Sequence, residues 1–267
     1  MNRDRYRILE QLGEGAAGIV YRATDGTAEV ALKVLRAADA ESQRRFEREA
    51  RLARACESPH VVRILDVGAD YIVMPLYPGG SLASRLARDG ALPLRDTARL
   101  AAELARGLDA LHGQGVLHRD VKPSNVLHDG AGTAVLTDFG LARGVDSTQL
   151  TRDGQVLGSL HYLAPELIEG APASPASDVY ALGCLLYECV TGSPPFAGRS
   201  EAELGYAHLA EPPPDPRDRR PELPPEIGLA LFTALEKDPR SRPTTATALA
   251  RMLHLAGTAA PAESAAG

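Results

Sequence analysis

The stretch His118-Arg119-Asp120-Val121-Lys122-Pro123-Ser124-Asn125 sets a carboxylate, an amine and an amide within eight residues, and most of the chain reads as support for it. Asn125 opens a short apolar run, Val126-Leu127. After the turn-forming Asp129-Gly130-Ala131-Gly132, a second run, Ala134-Val135-Leu136, leads to Asp138-Phe139-Gly140. Two short β-runs around a Gly-rich reversal predict a hairpin, whose open end places Asn125 and Asp138 side by side. An amide oxygen and a carboxylate are hard oxygen ligands of the kind Mg²⁺ takes when phosphates and waters fill its other positions. Asp120 stands just ahead of them, placed to accept a proton.

Nearer the amino terminus, the strand-like run Arg7 to Leu12 is followed by Gly13-Glu14-Gly15-Ala16-Ala17-Gly18-Ile19-Val20-Tyr21. Glycines in this pattern also open the helix of a dinucleotide-binding turn. Here the β-branched and aromatic Ile19-Val20-Tyr21 continues as a strand instead, so Gly13, Gly15 and Gly18 fall at a hairpin tip where backbone N–H groups can approach phosphates. Val30 to Leu35 reads as a further strand with Lys33 inside an apolar run, where an unpaired ammonium is costly. A helix from about Glu41 to Ala55, with Phe46, Ala50 and Ala53 on its buried side, offers Glu49 as a partner. Glu49 is equally an ordinary helix-face carboxylate beside Arg45. Two strands, Val61 to Val67 and Tyr71 to Met74, then precede Pro75-Leu76-Tyr77-Pro78-Gly79-Gly80.

Taken together, these motifs resemble the protein-kinase set. His118-Arg119-Asp120 with Asn125 is similar to the catalytic loop, Asp138-Phe139-Gly140 to the metal-binding triplet, and Lys122 to the Ser/Thr-kinase version of the loop. The resemblance runs from about Tyr6 to about Leu255 and is strongest to bacterial, especially actinobacterial, receptor-type Ser/Thr kinases. It implies an α+β, bilobal fold: a small β-rich N-lobe with one regulatory helix (about 1–74), a hinge (75–80) and a larger, mostly helical C-lobe (81–256). A disordered tail over 257–267 follows, too small and polar to pack.

The implied activity is transfer of the γ-phosphoryl of ATP to protein Ser or Thr hydroxyls, with Mg²⁺, or Mn²⁺ in its place, as the ion. Asp120 would orient and deprotonate the hydroxyl, Lys122 steady the phosphoryl group, Asn125 and Asp138 hold the metal, and Lys33 pair with Glu49 while holding the α- and β-phosphates. Met74 would be the gatekeeper, and adenine would meet the C=O of Pro75 and the N–H of Tyr77. Leu12, Val20, Ala31 and Leu127 would wall the ring, although each is equally explicable as core. Ala17 departs from the aromatic that many kinases carry at the glycine-loop tip.

The segment between Asp138 and Glu166 resembles an activation segment, with Thr151, Thr148 and Ser147 as phosphorylation candidates. Arg119 would be the cation that a phosphorylated Thr151 pairs with. Ser159, in Ser159-Leu160-His161-Tyr162, would help to seat the substrate. The resemblance further implies that Asp178 braces the catalytic-loop backbone, that His118 is structural rather than a base, and that Glu166 and Arg242 form a buried ion pair. A kinase homodimer is compatible with autophosphorylation in trans. Two rivals share the fold: a nucleotide-binding scaffold without catalysis, which should lack a motif residue, and a small-molecule phosphotransferase, which has no use for Lys122 or the segment Ser159 to Glu166.

Composition agrees with this reading. A chain of 267 residues, 44% hydrophobic, can bury one large core or two modest ones. Its net charge of −6 argues against a nucleic-acid partner, which needs a basic face to displace counterions. Only three of the 29 basic residues are lysines, Lys33, Lys122 and Lys237, and two of these fall on motif positions. Cys56, Cys184 and Cys189 show no metal-ligand spacing and read as reduced core residues. The charged amino terminus carries no apolar segment behind it, and the longest apolar run, Val179 to Val190, is too short to cross a bilayer. The catalytic part is therefore expected in the cytoplasm, with a membrane anchor elsewhere in a longer protein compatible with the sequence.

Overall fold

The computed structural model describes residues 5–15, 18–35, 47–48, 50–52, 54–139 and 157–259. The amino-terminal lobe is built on a five-stranded antiparallel sheet in the order β1-β2-β3-β5-β4, comprising β1 (Arg7–Gly15), β2 (Gly18–Thr24), β3 (Glu29–Leu35), β4 (Asp66–Val67) and β5 (Tyr71–Pro75). Successive side chains of a strand point to opposite faces. Val30 and Leu32 therefore pack with Tyr6, Ala23, Tyr71 and Val73 on one side. Ala31 packs with Ile72 and Met74 on the other, against Ala50, Val61, Val62 and Ile64. Lys33 shares this second face, because it stands opposite Val20 on one neighbour and Ile72 on the other. The backbone is helical at residues 47, 48, 50–52 and 54, within the helix expected from the sequence, and Glu49 lies outside the described residues.

The glycine hairpin forms as expected. Gly15 pairs with Gly18, and a Cβ on Gly18 would stand 2.1 Å from the Val34 carbonyl oxygen, so β2 can begin this close to β3 only at a glycine. One strand is shorter than the sequence suggests. Of the run Val61 to Val67, only Asp66–Val67 joins the sheet. Val61 bridges to Leu136 in the other lobe, and the Val62 N–H donates to the Leu136 carbonyl at 2.8 Å. Apolar side chains alone do not say which backbone will receive their amides.

The second lobe contains α1 (Leu82–Asp89), α2 (Leu94–Gly113), the hairpin β6 (Val126–His128) with β7 (Ala134–Leu136), α3 (Leu157–Leu160), α4 (Pro165–Ile168), α5 (Pro175–Thr191), α6 (Glu201–Ala210), α7 (Pro225–Ala234) and α8 (Ala246–Ala259). Helix α2 buries Leu100, Ala101, Leu104, Ala105, Leu108 and Leu111, one stripe at helical period. Each leucine so buried contributes about 2 kcal/mol relative to exposure. Helix α5 is buried almost all round, and its ends are written locally. Ser174 and Ser177 form a capping box, Pro175 opens the first turn, and Gly192 closes the helix in the left-handed conformation at φ 81°.

Cys184 and Cys189 lie fully buried in the large core, Cys56 is half-buried, and all three are free. Helix α8 is held by α2, whose Asp109 carboxylate accepts the N–H groups of Ala246 and Thr247 at 3.0 Å. It runs to Ala259, three residues into the expected tail, because Gly257, Thr258 and Ala259 extend an Ala-rich helix that is already nucleated. The remainder of that tail lies outside the described residues. No helix among the described residues is long and apolar enough to cross a membrane.

Candidate active site

The site is assembled where the two lobes meet. The hairpin β6–β7 has the register Val126 with Leu136, and the Thr137 N–H donates to the Asn125 carbonyl at 2.9 Å, so Asn125 and Asp138 flank its open end. Asp138 has φ 61°, a left-handed conformation that its short polar side chain tolerates. Its Oδ1 accepts from Lys33 Nζ at 2.7 Å, joining the upper sheet to the lower hairpin. Lys33 is 5% exposed on an otherwise apolar face and thus has the anion that its burial demands. The expected partner Glu49 lies outside the described residues, so Asp138 is the carboxylate seen on Lys33 among the described ones. Phe139 is buried against the same inter-lobe core, edge-on to the His118 ring.

Asp120 lies between two donors. Its Oδ2 receives Asn125 Nδ2 at 2.9 Å and faces Lys122 Nζ at 2.8 Å, while Asn125 Nδ2 also donates to the Asp120 carbonyl at 2.8 Å. With its Nδ2 committed, Asn125 has its amide oxygen as the atom suited to a cation. Lys122 reaches on to Ser159 Oγ at 2.7 Å, so the catalytic-loop lysine and the expected substrate-seating serine are in direct contact. That serine lies on the short helix α3 rather than in an open loop.

Asp178 braces the loop as expected. Its Oδ1 accepts the Arg119 N–H at 2.8 Å, and its Oδ2 accepts the His118 N–H at 2.9 Å and His112 Nε2 at 2.8 Å. The position in the first turn of α5 also favours a carboxylate through the helix dipole. Arg119 has φ 63°, which costs roughly 1–2 kcal/mol for a residue with a Cβ. Hydrogen bonds to a charged acceptor contribute about 1.5–3 kcal/mol each, so the brace outweighs the strain. His118 is fully buried, and burial holds its imidazole below the ordinary value, so it stays neutral; its Nδ1 accepts the Asp120 N–H at 3.3 Å. That is a structural role, as expected.

The Glu166–Arg242 pair forms with both guanidinium nitrogens, at 2.8 and 2.7 Å, and Ser177 Oγ donates to the same carboxylate at 2.7 Å. Burial pushes the Glu166 carboxyl up, but these bonds more than offset it and leave it below its ordinary value.

The residues expected to wall adenine lie on β1, β2, β3 and β6, with the hinge following β5. Ala31 is buried opposite Met74, and Val20 is half-buried opposite Lys33. Leu127 is tied to the hinge end, since Ser81 bridges to it and Gly79 and Gly80 bond to His128 on either side. Leu12 is 49% exposed, too open to be a core residue. Pro75 ends β5, and Tyr77 packs on the inter-lobe core. The phosphorylation candidates Ser147, Thr148 and Thr151 lie outside the described residues, as does Gly140.

Two groups escaped sequence reasoning. A cleft of ≈ 320 Å³ opens beside Lys122 and Ser159 and is lined further by Leu86, Tyr162, Glu188 and Gly192. Within it the Tyr162 hydroxyl donates to Glu188 at 2.5 Å, and burial pushes the Glu188 carboxyl up. Its signal was present, because Glu188 is the single charge between Val179 and Val190. The other is His112, whose contact with Asp178 spans 66 residues and has no local signature.

Comparison with known proteins agrees with this geometry. The chain is 42% identical, over 94% of its length, to the DNA damage-responsive serine/threonine-protein kinase RqkA of Deinococcus radiodurans, of which it covers 39%. It is 37% identical over 91% of its length to the serine/threonine-protein kinase PknB of Mycobacterium leprae, covering 41% of that protein. To the serine/threonine-protein kinase PrkC of Bacillus subtilis it is 38% identical over 91% of its length, covering 39%. The chain thus spans about two fifths of the length of these relatives, and the expected resemblance to bacterial Ser/Thr kinases, actinobacterial ones included, holds. The protein kinase domain family matches residues 6–253, nearly everything from the first strand to the last helix, and the chain belongs to that family.

Proposed function

We propose that this domain transfers the γ-phosphoryl group of ATP to Ser or Thr hydroxyls of proteins. The observation that carries the reading is the contact chain Asn125–Asp120–Lys122–Ser159, which joins the carboxylate at the centre of the site to the segment expected to seat the acceptor. In this reading Asp120 orients the acceptor hydroxyl and takes its proton, with the Asn125 amide fixing the carboxylate. Lys122 lies between that carboxylate and Ser159, where its ammonium can follow charge onto the phosphoryl oxygens. Lys33 holds the α- and β-phosphates, and the hairpin Gly13–Gly18 covers them from above.

The Asn125 amide oxygen and the Asp138 carboxylate are the hard donors that would hold Mg²⁺, or Mn²⁺ in its place. Bound there, the ion would neutralise charge on the β- and γ-phosphates. The cleft beside Ser159 has room for a side chain of a polypeptide acceptor, which favours a protein over a small molecule as substrate. Phosphorylation of Thr151, Thr148 or Ser147, with Arg119 as the receiving cation, and pairing of two kinase domains for that reaction belong to the same proposal. So does a cytoplasmic location of the domain.

The test is incubation of the purified domain with γ-labelled ATP, Mg²⁺ and a panel of proteins, followed by mass mapping of phosphorylated residues. Label on Ser and Thr of protein substrates is the expected result. Label only on small molecules, or none with ATP bound, would overturn it.

A further inference from the structure

His128 closes β6 and is 8% exposed. Its backbone clasps the hinge from both sides: the Gly79 N–H donates to the His128 carbonyl and the His128 N–H to the Gly80 carbonyl, each at 3.0 Å, and Ser81 bridges to Leu127. The hinge is thereby paired with the hairpin whose open end is flanked by Asn125 and Asp138. The packing leaves no slack. A Cβ on Gly79 would stand 2.7 Å from both the Cβ and the carbonyl oxygen of His128, so a shift at residue 128 passes directly to the hinge backbone. Gly79 and Gly80, the latter at φ 72°, bring no side chain of their own to resist it.

The imidazole is buried at this contact, where a charge is unwelcome. Burial holds it below the ordinary histidine value and Arg85 of α1 adds to this, with Arg99 of α2 acting in the same sense; the Gly80 carbonyl and Glu103 of α2 oppose them but do not prevail. Glu103 accepts the Ala134 N–H at 2.8 Å, Arg85 is paired with Asp96 at 2.6 Å, and the adjacent Asp129 is held by the N–H groups of Ala131 and Thr133 at 2.9 and 2.8 Å. The hinge from Pro75 to Ser81 and the strand β7 bring no charged residue. A proton on the ring would set a cation near Arg85 and Arg99 within a buried contact and drive the ring toward water.

We infer that His128 is a positioning residue for nucleotide binding: its neutral ring keeps the hinge seated on the hairpin, so that the backbone offered to adenine stays in register with the donors offered to the ion, and a proton on the ring unseats it. It touches no part of the nucleotide in this role. The inference deepens the ATP reading proposed above and rests on it. Proton and nucleotide then favour opposite states of one contact, so each weakens the other by the same factor.

The experiment titrates ATP with Mg²⁺ into the wild-type domain, His128→Leu and His128→Lys at about pH 7.5 and about pH 5.5, on either side of the ordinary histidine value. Comparing the proteins at each pH removes the titration of ATP itself. Leucine fills the site without a charge, and lysine carries one at both pH values. The expected result is that acid weakens ATP binding about fivefold more in the wild type than in His128→Leu, and that His128→Lys binds ATP about fivefold more weakly than the wild type at the higher pH. Equal acid weakening in the wild type and His128→Leu overturns the inference, as does wild-type affinity in His128→Lys. Should a variant fail to fold, the wild type decides alone: ATP with Mg²⁺ is expected to lower the pH at which the His128 ring titrates, followed by NMR, by about 0.7 unit, the same factor read from the other side, and an unmoved titration overturns the inference. Failure of the wild type to bind ATP at either pH would instead remove the ATP reading itself, which keeps the two failures distinct.

Discussion

Lys33 and Asp178 are both buried charges, one on the upper wall of the cleft and one beneath its floor, and they are satisfied in different ways. Lys33 is met by a single described carboxylate that belongs to the opposite lobe, so its contact depends on how the lobes stand. Asp178 is met by two backbone amides and an imidazole from within its own lobe, at a helix start that already favours negative charge. The upper sheet also carries Leu12 and Ile8 half-open to solvent, whereas the floor rests on a core in which α2 and α5 are buried along most of their length. The difference teaches that, in the proposed function, the part that would admit and release a nucleotide is lightly held. The part that would hold the Asp120 carboxylate in place during the proposed transfer is over-determined.

The comparison can be broken most severely at the floor. Asp120→Asn is expected to lower kcat by about 10⁴-fold while leaving ATP affinity nearly unchanged, as measured by turnover and by nucleotide titration. Retention of most activity would remove Asp120 from its role. Next in size, Arg242→Met leaves the Glu166 carboxylate buried without its guanidinium and should cost about 3–5 kcal/mol of stability in urea unfolding. A loss below 1 kcal/mol would show that the lower lobe does not depend on this pair. At the upper wall, Lys33→Met should reduce turnover by about 10²-fold with little change in stability, because the charge serves the ligand more than the fold. A large drop in unfolding free energy would make the two walls alike.

A smaller effect sharpens the account of the lower lobe through pH. His208 is fully buried, bonded to the Tyr180 hydroxyl at 2.8 Å and edge-on to Phe196. Burial, helped by Lys237 and His161 nearby, pushes its imidazole down to about 3. The native state therefore keeps His208 neutral while the unfolded chain protonates it near its ordinary value. Its contribution is fully present above about pH 6.5 and is lost as pH falls from there toward 3, at up to about 1.4 kcal/mol per unit. Thermal unfolding of the wild type should weaken between pH 7 and 5, and His208→Gln should flatten that slope; an unchanged slope would refute the assignment. The smallest expected effect is at Leu12, where replacement by Ala should alter ATP affinity by less than about threefold and leave the unfolding temperature in place, given its exposure.

Much of the site could be read from the chain because its signals are local. Residues 118–125 lie on one loop, the hairpin that brings Asn125 to Asp138 is only eleven residues long between its ends, and the turn residues that make it are explicit. The glycine hairpin was legible for the same reason. What was not legible depends on distance along the chain. The strand expected over Val61 to Val67 shortened because its amides were claimed by β7, more than 60 residues away, and the His112–Asp178 contact joins two helices with no shared pattern.

The sequence by itself determined the chemistry and the order of its parts: which carboxylates, amine and amide are present, and that a glycine hairpin precedes a buried lysine. Local hydrogen bonding and period suffice for that. Only the tertiary structure decided who partners whom: that Lys33 meets Asp138, that Lys122 joins Asp120 to Ser159, and that a histidine at the end of one helix steadies the aspartate at the start of another. Those choices are made by burial, where each charge withdrawn from water must find a donor or acceptor among whatever neighbours the packing of distant segments provides.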